Sequence, residues 1–502
     1  MEKANRNYML NRRDLVVGSN GAAATAILPK ALSATSAKSN PDDIALLGDI
    51  LRTLHPGLYR YQSPSAMERS LEQLSNAWVA NADLAERYLN LSRFLATINC
   101  GHSYANFFNQ KKTVQAALFE RQTRVPFTFR WLGSQMVVLQ DQSGTASLPP
   151  SSIVHAINDV AATDILSRLL PYARADGNND NKRRALLSAT GGDDIETFDV
   201  FQGLLDHQND ASGDSTPTRT FRLRVRLPEA KTDAIVNLPA LTLLQRQSFM
   251  RAFDYRGNGP VWQWTMRDDG LAVLRMDGWG LYNSSWDWAG WLNDRLDSLK
   301  GAKGLIVDIR ENEGGLDCGD LILARLAGLD IAKPKLNRLV RFVKTPEHLN
   351  RYLDTWDDSF RDWSKEIDAK QGQFYRLKQN PGPSITPVAS KKLTIPMAVL
   401  TSAQNSSATF QFAALAKQLQ LGTLVGETTG GNQRGINGGA FFFARLPESG
   451  IEFDVPLIGY YSDGRMPDAG ITPDIAVAMT AKAIESGDDP QLQAAVQHLL
   501  QT

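Results

Sequence analysis

The stretch Met397-Ala-Val-Leu-Thr-Ser-Ala-Gln-Asn-Ser-Ser-Ala-Thr-Phe-Gln-Phe-Ala-Ala-Leu-Ala416 decides the fold class of this chain. An apolar run of strand length ends in a turn of small and polar residues, and a segment with apolar residues at helical spacing follows. Ser406 and Ser407 lie where that helix begins. A serine there either caps the helix or, because free N–H groups stabilise an anion, serves as a nucleophile. The segment alone leaves both interpretations open.

Outward from this segment, apolar strands alternate with amphipathic helices. Strands are predicted at Leu271 to Met276, Gly304 to Ile309, Met397 to Thr401 and Thr423 to Val425. Helices are predicted at about Asp287 to Leu299 and Ala408 to Leu419. Because such alternation is typical of a largely parallel sheet, the C-terminal half is predicted to be α/β, with ligands near the carboxyl ends of the strands.

Two other segments carry polar turns. Asp308-Ile-Arg-Glu-Asn-Glu-Gly-Gly315 continues a buried strand into a turn whose Gly314 and Gly315 can point amide N–H groups into open space. Such amides are able to stabilise an oxyanion, although most turns of this kind have no functional role.

In Thr97-Ile-Asn-Cys-Gly-His-Ser-Tyr104, His102 follows a glycine at the end of an apolar helix. Of the six histidines, His102 alone has this loop context, although a lone histidine is more often structural.

Composition limits the classes of function. The chain has 502 residues, of which 42% are hydrophobic and 22% charged, and this fits a packed protein of several domains. Lys plus Arg and Asp plus Glu both number 54, so no field of one sign attracts nucleic acid or an anionic membrane. Two cysteines, without the spacing of a zinc site, and the lack of nucleotide-binding glycine motifs predict that no metal or other cofactor is needed.

The first 37 residues have the features of an export signal. Lys3, Arg6, Arg12 and Arg13 form a basic start, an apolar and small-residue run follows, and small residues precede position 38. The adjacent arginines resemble a twin-arginine signal. We expect a periplasmic or secreted protein with no lasting membrane span. The alternative is a disordered, mildly basic N-terminus.

The rest of the chain divides by its sequence texture. The predicted regions are an N-terminal helical region at 38–115, a β-rich domain at 120–235, an α/β core at 262–480 and a C-terminal helix at 481–502. Within the core, the charged stretch 334–391 is predicted to be a helical insertion, either a lid or a solvated addition.

Six short segments occur in the order found in one known family. They are His55-Pro-Gly-Leu-Tyr-Arg-Tyr61, Cys100-Gly-His-Ser103, Asp308 to Gly315, Ser407-Ala408, Val425-Gly-Glu-Thr-Thr-Gly-Gly-Asn432 and Gly470-Ile-Thr-Pro-Asp-Ile475. Together they resemble the tail-specific, or C-terminal-processing, serine peptidases, including their tricorn-core and interphotoreceptor-retinoid-binding-protein-like relatives. The resemblance implies an α/β multidomain protein with a crotonase-like core, a helical cap and a degenerate PDZ-like domain around Phe127 to Leu227.

The resemblance also implies roles for residues. Ser407 is the nucleophile, His102 the general base, Ser103 a secondary residue that holds the nucleophile or a water, and Asp468 the orienting carboxylate. The backbone N–H groups of Ala408 and of Gly315 or Gly314 are the oxyanion donors. Members with a Ser/Lys dyad carry the lysine where this chain has Asn432, and an amide cannot accept the proton.

Two positions depart from the family pattern. Phe410 replaces an acidic residue after the nucleophile, and Cys100 replaces an acid before His102. Because Cys100 and Cys318 belong to motifs expected near one site in an exported protein, they are predicted to form a disulfide, the alternative being two free thiols.

The sequence therefore predicts an exported serine peptidase that acts on a peptide or protein substrate through an acyl-enzyme. The main alternative is a binding protein of the same fold that holds an apolar ligand or peptide. An enoyl-CoA enzyme on the same core is disfavoured because export separates the chain from cytosolic CoA.

Overall fold

The computed structural model describes residues 42–79, 82–209, 219–250, 255, 257–333, 336–378 and 384–501. The predicted export signal at 1–37 lies outside the described residues. The chain has the predicted multidomain α/β fold, with helices and several sheets. No helix of the described residues is both long enough and apolar enough to cross a membrane.

Among the described residues, four helices precede the first sheet. Asp42 caps the first of them by accepting a hydrogen bond from the Ile44 N–H at 2.9 Å. Leu47, Ile50 and Leu51 are fully buried on its inner face. The helices are α1 (Asp43–Leu54), α2 (Pro64–Ala77), α3 (Leu84–Ala96) and α4 (Lys112–Phe119).

An antiparallel sheet follows, with the strand order β1-β2-β3-β5-β6 and with β4 paired to β3. In β5, apolar side chains that are buried alternate with arginines that are exposed, as expected for a sheet covered on one face. The strands are β1 (Phe127–Leu132), β2 (Gln135–Asp141), β3 (Ile153–Ile157), β4 (Val160–Ala161), β5 (Thr220–Arg226) and β6 (Ala234–Pro239). The helices of this region are α5 (Ala162–Leu169), α6 (Asp180–Leu186), α7 (Thr197–Asn209) and α8 (Leu243–Ser248).

The central sheet of the C-terminal half has the order β20-β17-β16-β9-β8-β7. All neighbouring pairs are parallel except β7 with β8. Every residue of β9 and of β16 is buried, as expected for parallel strands covered on both faces. The strands are β7 (Gln263–Met266), β8 (Leu271–Arg275), β9 (Gly304–Asp308), β16 (Met397–Thr401), β17 (Thr423–Gly426) and β20 (Ile475–Ala476). The covering helices include α9 (Trp288–Asp297), α10 (Gly319–Leu326) and α12 (Ser407–Gln418).

The prediction of a helical insertion at 334–391 is wrong for the described residues. Only the one-turn α11 (Glu347–Asn350) is α-helical there. The short strands join a sheet with the order β12-β18-β19-β11-β14-β13, and β10 pairs with β15 beside it. The strands are β10 (Ile331–Ala332), β11 (Asn337–Val340), β12 (Leu353–Asp354), β13 (Ile367–Gln371), β14 (Phe374–Leu377), β15 (Ser384–Ile385), β18 (Asn437–Arg445) and β19 (Glu452–Tyr461).

Tertiary contacts explain this difference. Trp356 packs with its ring centroid 5.8 Å from those of both Phe441 and Phe443, which belong to β18. The aromatic residues of the insertion thus cover strands that lie much later in the chain, and a local spacing pattern does not reveal such a partner.

The predicted C-terminal helix at 481–502 is two helices, α13 (Ala481–Ser486) and α14 (Pro490–Gln501). Gly487 ends the first with a φ of 70°, a left-handed conformation that glycine adopts readily. Ala495 and Leu499 of the second helix pack against Ile306 and Leu400 of the central sheet.

Candidate active site

Three loops meet at one pocket. Ser407 begins α12 directly after the loop that follows β16, Gly315 lies in the turn after β9, and His102 lies in the loop after α3. Because β9 and β16 are parallel neighbours, their carboxyl ends bring the first two loops together. The lining residues are His102, Gly315, Asp317, Ser407, Ala408, Gln411, Ile436, Gly438, Gly439 and Tyr460.

Ser407 has an unusual backbone conformation. Its φ is 51°, in the left-handed region that non-glycine residues seldom occupy. Ser406 is the residue that precedes the helix, yet its side chain makes no capping hydrogen bond. Instead, the Ser406 hydroxyl donates to the Glu313 carbonyl at 3.0 Å. The capping interpretation therefore fits neither serine, and a strained serine at a helix start is a geometry that recurs at functional sites.

The glycine turn lies against this serine. A Cβ on Gly314 would come within 2.9 Å of the Ser406 carbonyl oxygen and of the Ser407 Cβ. A Cβ on Gly315 would lie 2.2 Å from the Trp279 carbonyl oxygen. The Gly314 N–H donates to Asn312 Oδ1 at 2.9 Å. Gly314 is thereby the weaker of the two predicted oxyanion donors, whereas Gly315 lines the pocket together with Ala408.

A buried asparagine that the sequence analysis missed joins the two loops. Asn405 Oδ1 accepts from the Ser402 N–H at 2.8 Å, and its Nδ2 donates to the carbonyls of Ile309 and Asn312. One amide side chain therefore fixes the turn after β9 to the loop after β16. Sequence analysis gave no signal for this residue, because its partners are backbone atoms that any residue type supplies.

His102 is buried beside the pocket, with its ring centroid 6.0 Å from that of Phe441. Its Nδ1 atom has no hydrogen-bond partner among the described residues. Burial lowers the pKa of His102 below its ordinary value; the negative charges of Asp176 and Glu313 act in the opposite direction. The imidazole is therefore neutral at pH 7 and has the capacity to accept a proton.

Among the described residues, no hydrogen bond or ion pair joins Asp468 to His102. Its carboxylate accepts hydrogen bonds from Asn432 Nδ2 at 2.7 Å and from the Asn178 side chain at 2.9 Å. The predicted orienting role is corrected accordingly: the carboxylates whose charges act on His102 are Asp176 and Glu313. The sequence analysis assigned a role to neither carboxylate. Asp176 lies outside the six segments, and Glu313 lies in the segment Asp308 to Gly315 without an expected role.

Ser103 is also held elsewhere than predicted. His55 Nδ1 accepts from the Gly57 N–H at 3.1 Å, so the proton is on Nε2, which donates to the Ser103 hydroxyl at 2.8 Å. Ser103 is fully buried and does not line the pocket with Ser407. The hydrogen bond from His55 supports the loop that carries His102. Among the described residues, no hydrogen bond joins Ser103 to Ser407.

The first of the six segments supports the far wall of the pocket. Arg60 Nη2 donates to the carbonyls of Ile436 and Tyr460, two residues that line the pocket, at 3.3 and 3.0 Å. The guanidinium carbon also lies 3.9 Å from the centre of the Tyr461 ring. One arginine from the N-terminal helical region thus contacts the backbone on both sides of this wall, just before β18 and near the end of β19.

The predicted disulfide is absent: Cys100 and Cys318 are both free and buried. Cys318 packs in the core around the central sheet, whereas Cys100 belongs to the separate core that the helical region shares with the other two sheets. Asn437 Nδ2 donates to the Cys100 sulfur at 3.3 Å. Burial raises the pKa of both thiols, so both are protonated at neutral pH.

The fold and the pocket together define an α/β protein with the elements of a hydrolase site. Residues 270–477 match the model of peptidase family S41. This match supports a peptidase that acts on a peptide or protein substrate. No curated protein sequence matches the chain.

Two solved structures have a similar fold over almost the whole chain. Mature CPAF complexed with lactacystin is 14% identical with a TM-score of 0.59, over 91% of this chain and 96% of that one. Mature CPAF gives a TM-score of 0.54 at 14% identity, over 91% of this chain and 94% of that one. At this identity the likeness concerns the fold. The crotonase-like and PDZ-like descriptions of its parts stay predictions.

Proposed function

We propose that the chain is a serine peptidase in which Ser407 is the nucleophile and His102 the general base. The observation that carries the proposal is the shared pocket: a strained serine at the start of α12, a buried neutral histidine and the glycine turn line one cavity. A binding protein has no need of this combination.

In the proposed acylation step, Ser407 Oγ attacks the carbonyl carbon of the scissile peptide bond while His102 takes the hydroxyl proton. The negative charge develops on the carbonyl oxygen and is stabilised by the N–H groups of Ala408 and Gly315, aided by the N-terminus of α12. His102 then gives its proton to the departing amine, and an acyl-enzyme remains.

In the second step a water molecule attacks the acyl-enzyme. His102 accepts a proton from the water and returns it to Ser407 Oγ as the acid product leaves. The lowered pKa of His102 supports this role because the base must be neutral at the start of each step.

Turnover of internally quenched peptides tests the proposal. Ser407→Ala is expected to lower kcat by about 10⁶-fold, the loss typical of a removed nucleophile. The matched Ser406→Ala variant removes the hydroxyl that donates to the Glu313 carbonyl at 3.0 Å and, more distantly, to the Gln404 carbonyl at 3.4 Å. It is expected to lose at most about tenfold, near the worth of one hydrogen bond. Retained turnover in Ser407→Ala would contradict the proposal.

We also infer that the protein is exported, on the strength of the basic, twin-arginine-like start of residues 1–37. Expression in a bacterium with a twin-arginine pathway, followed by fractionation and mass measurement, tests this. The account predicts a shortened chain outside the cytoplasm, and a full-length cytoplasmic chain when Arg12 and Arg13 are both changed to lysine. A full-length wild-type chain that stays in the cytoplasm would contradict it.

A further inference from the structure

We propose that Lys182, from α6 beside the antiparallel sheet, is a positioning residue for the candidate active site. It fixes the turn that carries Gly314 and Gly315 relative to the loop that leads into Ser407. This inference rests on the proposed peptidase mechanism. None of the six short segments contains Lys182, and α6 lies outside the part of the chain that matches the peptidase family model.

The ammonium group of Lys182 is saturated with acceptors from these two loops. Its Nζ donates to Glu313 Oε1 at 2.8 Å, to the Gln404 carbonyl at 2.8 Å and to Gln404 Oε1 at 3.3 Å. An ammonium has three donors, and all three are used. The side chain is only 3% exposed. Because a buried cation is costly without partners, this group is stable only while both loops keep their places.

The carboxylate partner connects the ion pair to the candidate chemistry. Glu313 directly precedes Gly314, and its backbone carbonyl accepts the Ser406 hydroxyl at 3.0 Å. Burial alone would raise the pKa of Glu313, but the charges of Lys182 and Arg174 lower it to about 2. Glu313 is therefore ionised, and a charge-assisted bond holds the turn.

A second cation extends the same cluster to the base loop. Arg174 lies 3.4 Å from Glu313 Oε2, and its Nη1 donates at 3.2 Å to the carbonyl of Gly101, the residue before His102. The two cations thus share the Glu313 carboxylate in the glycine turn, while Arg174 also bonds to the base loop and Lys182 to the nucleophile loop.

The helix that carries Lys182 is itself fixed to the core. Asn179 accepts the Lys182 N–H through its side-chain oxygen, and its Nδ2 donates to the carbonyls of Thr429 and Gly431. A Cβ on Gly430 would lie 2.8 Å from Lys182 Cδ. The lysine therefore has little freedom to move, as a positioning residue requires.

The test compares Lys182→Met, Lys182→Arg and the control Arg184→Met. The control removes one cation from the same helix, where the Arg184 guanidinium donates to Asn181 Oδ1 at an exposed position. Labelling by a fluorophosphonate gives the maximal inactivation rate and the concentration for half-maximal rate. Lys182→Met is expected to lower the maximal inactivation rate at least tenfold and to change the concentration for half-maximal rate less than twofold. Lys182→Arg is expected to recover part of the lost rate. The control Arg184→Met is expected to match wild type.

Hydrogen exchange of peptides that cover 309–318 and 402–408 gives a readout independent of chemistry. Lys182→Met is expected to exchange faster than wild type in both segments. If folded Lys182→Met shows the same hydrogen exchange and the same labelling kinetics as wild type, the proposal is overturned. If that variant fails to fold, Glu313→Gln, which keeps the shape but removes the charge, must show the same two effects. A wild-type protein that the fluorophosphonate does not label would refute the proposed function. The hydrogen-exchange comparison would then still test whether Lys182 positions the two loops.

Discussion

Gly314 lies directly against Ser407: a Cβ on Gly314 would come within 2.9 Å of the Ser407 Cβ, and 3.1 Å from the Ala408 nitrogen. The two residues are far apart in the sequence, at the carboxyl ends of neighbouring parallel strands. The contact lets the turn after β9 and the start of α12 form one wall of the pocket. Glycine is required at position 314 on two counts, because its φ is also 117°.

Gly314→Ala is therefore expected to displace the turn from Ser407 and to lower kcat at least 100-fold. The matched control is Gly301→Ala, where φ is 87° but nothing lies within 4 Å of the added Cβ. The control is expected to cost about 1–3 kcal/mol of stability from backbone strain and to keep full turnover. Peptide turnover and thermal unfolding measure both effects. Equal turnover in the two variants would contradict the close approach.

The pH dependence of labelling is expected to follow the neutral form of His102. Burial lowers its pKa below the ordinary 6.5, so the imidazole stays neutral, and able to accept a proton, to lower pH than a free histidine. The midpoint of the decline in labelling rate should therefore lie below pH 6.5. A rate profile in a fluorophosphonate between pH 4.5 and 9 checks this. A decline centred above pH 6.5 would exclude a buried base of this kind.

Acid is expected to destabilise the fold through His55. Burial, and then the charges of Arg60 and Arg341, lower the pKa of His55 to about 3 from 6.5. Between these values the unfolded chain binds the proton and the folded chain does not. The free energy of unfolding should therefore fall with decreasing pH, with His55 contributing about 1.4 kcal/mol per pH unit.

Urea unfolding at pH 7, 6 and 5 compares wild type with His55→Gln, whose amide supplies one donor and one acceptor but does not titrate. The variant is expected to have the shallower pH dependence. Parallel curves for the two proteins would show that His55 is not held neutral in the folded chain.

The two cysteines are expected to behave as buried free thiols. Since Cys100 and Cys318 are inaccessible and protonated, a thiol reagent should react with neither in the native protein and with both after denaturation without reductant. Intact mass before and after reduction gives the second readout. A mass that increases on reduction would restore the predicted disulfide.

Local patterns predicted the central sheet well. The strand predicted at Met397 to Thr401 has those bounds, and the helix after it begins one residue earlier than predicted, at Ser407. Both succeed because an apolar run between breakers depends on neighbours in sequence. The insertion at 334–391 failed for the converse reason, since its strands are defined by β18 and β19 much later in the chain.

The candidate site divides in the same way. The expected neighbourhood of His102, Gly315 and Ser407 was predictable from motifs, and they line one pocket. The contacts of Asp468 were not, because a motif position does not specify which of several amides a carboxylate meets. The ion pairs of Lys182 and Arg174 with Glu313 could not be predicted for a further reason. They join residues from separate regions of the chain that no sequence motif links.

The most direct test of the account is to identify the residue that a fluorophosphonate modifies in the full-length wild-type protein, by peptide mass spectrometry. The account predicts one adduct, on Ser407, that His102→Ala reduces by several orders of magnitude while the variant stays folded. An adduct on another residue, or no adduct on folded wild-type protein, would contradict the assignment of Ser407 and His102 and favour a binding role for the pocket.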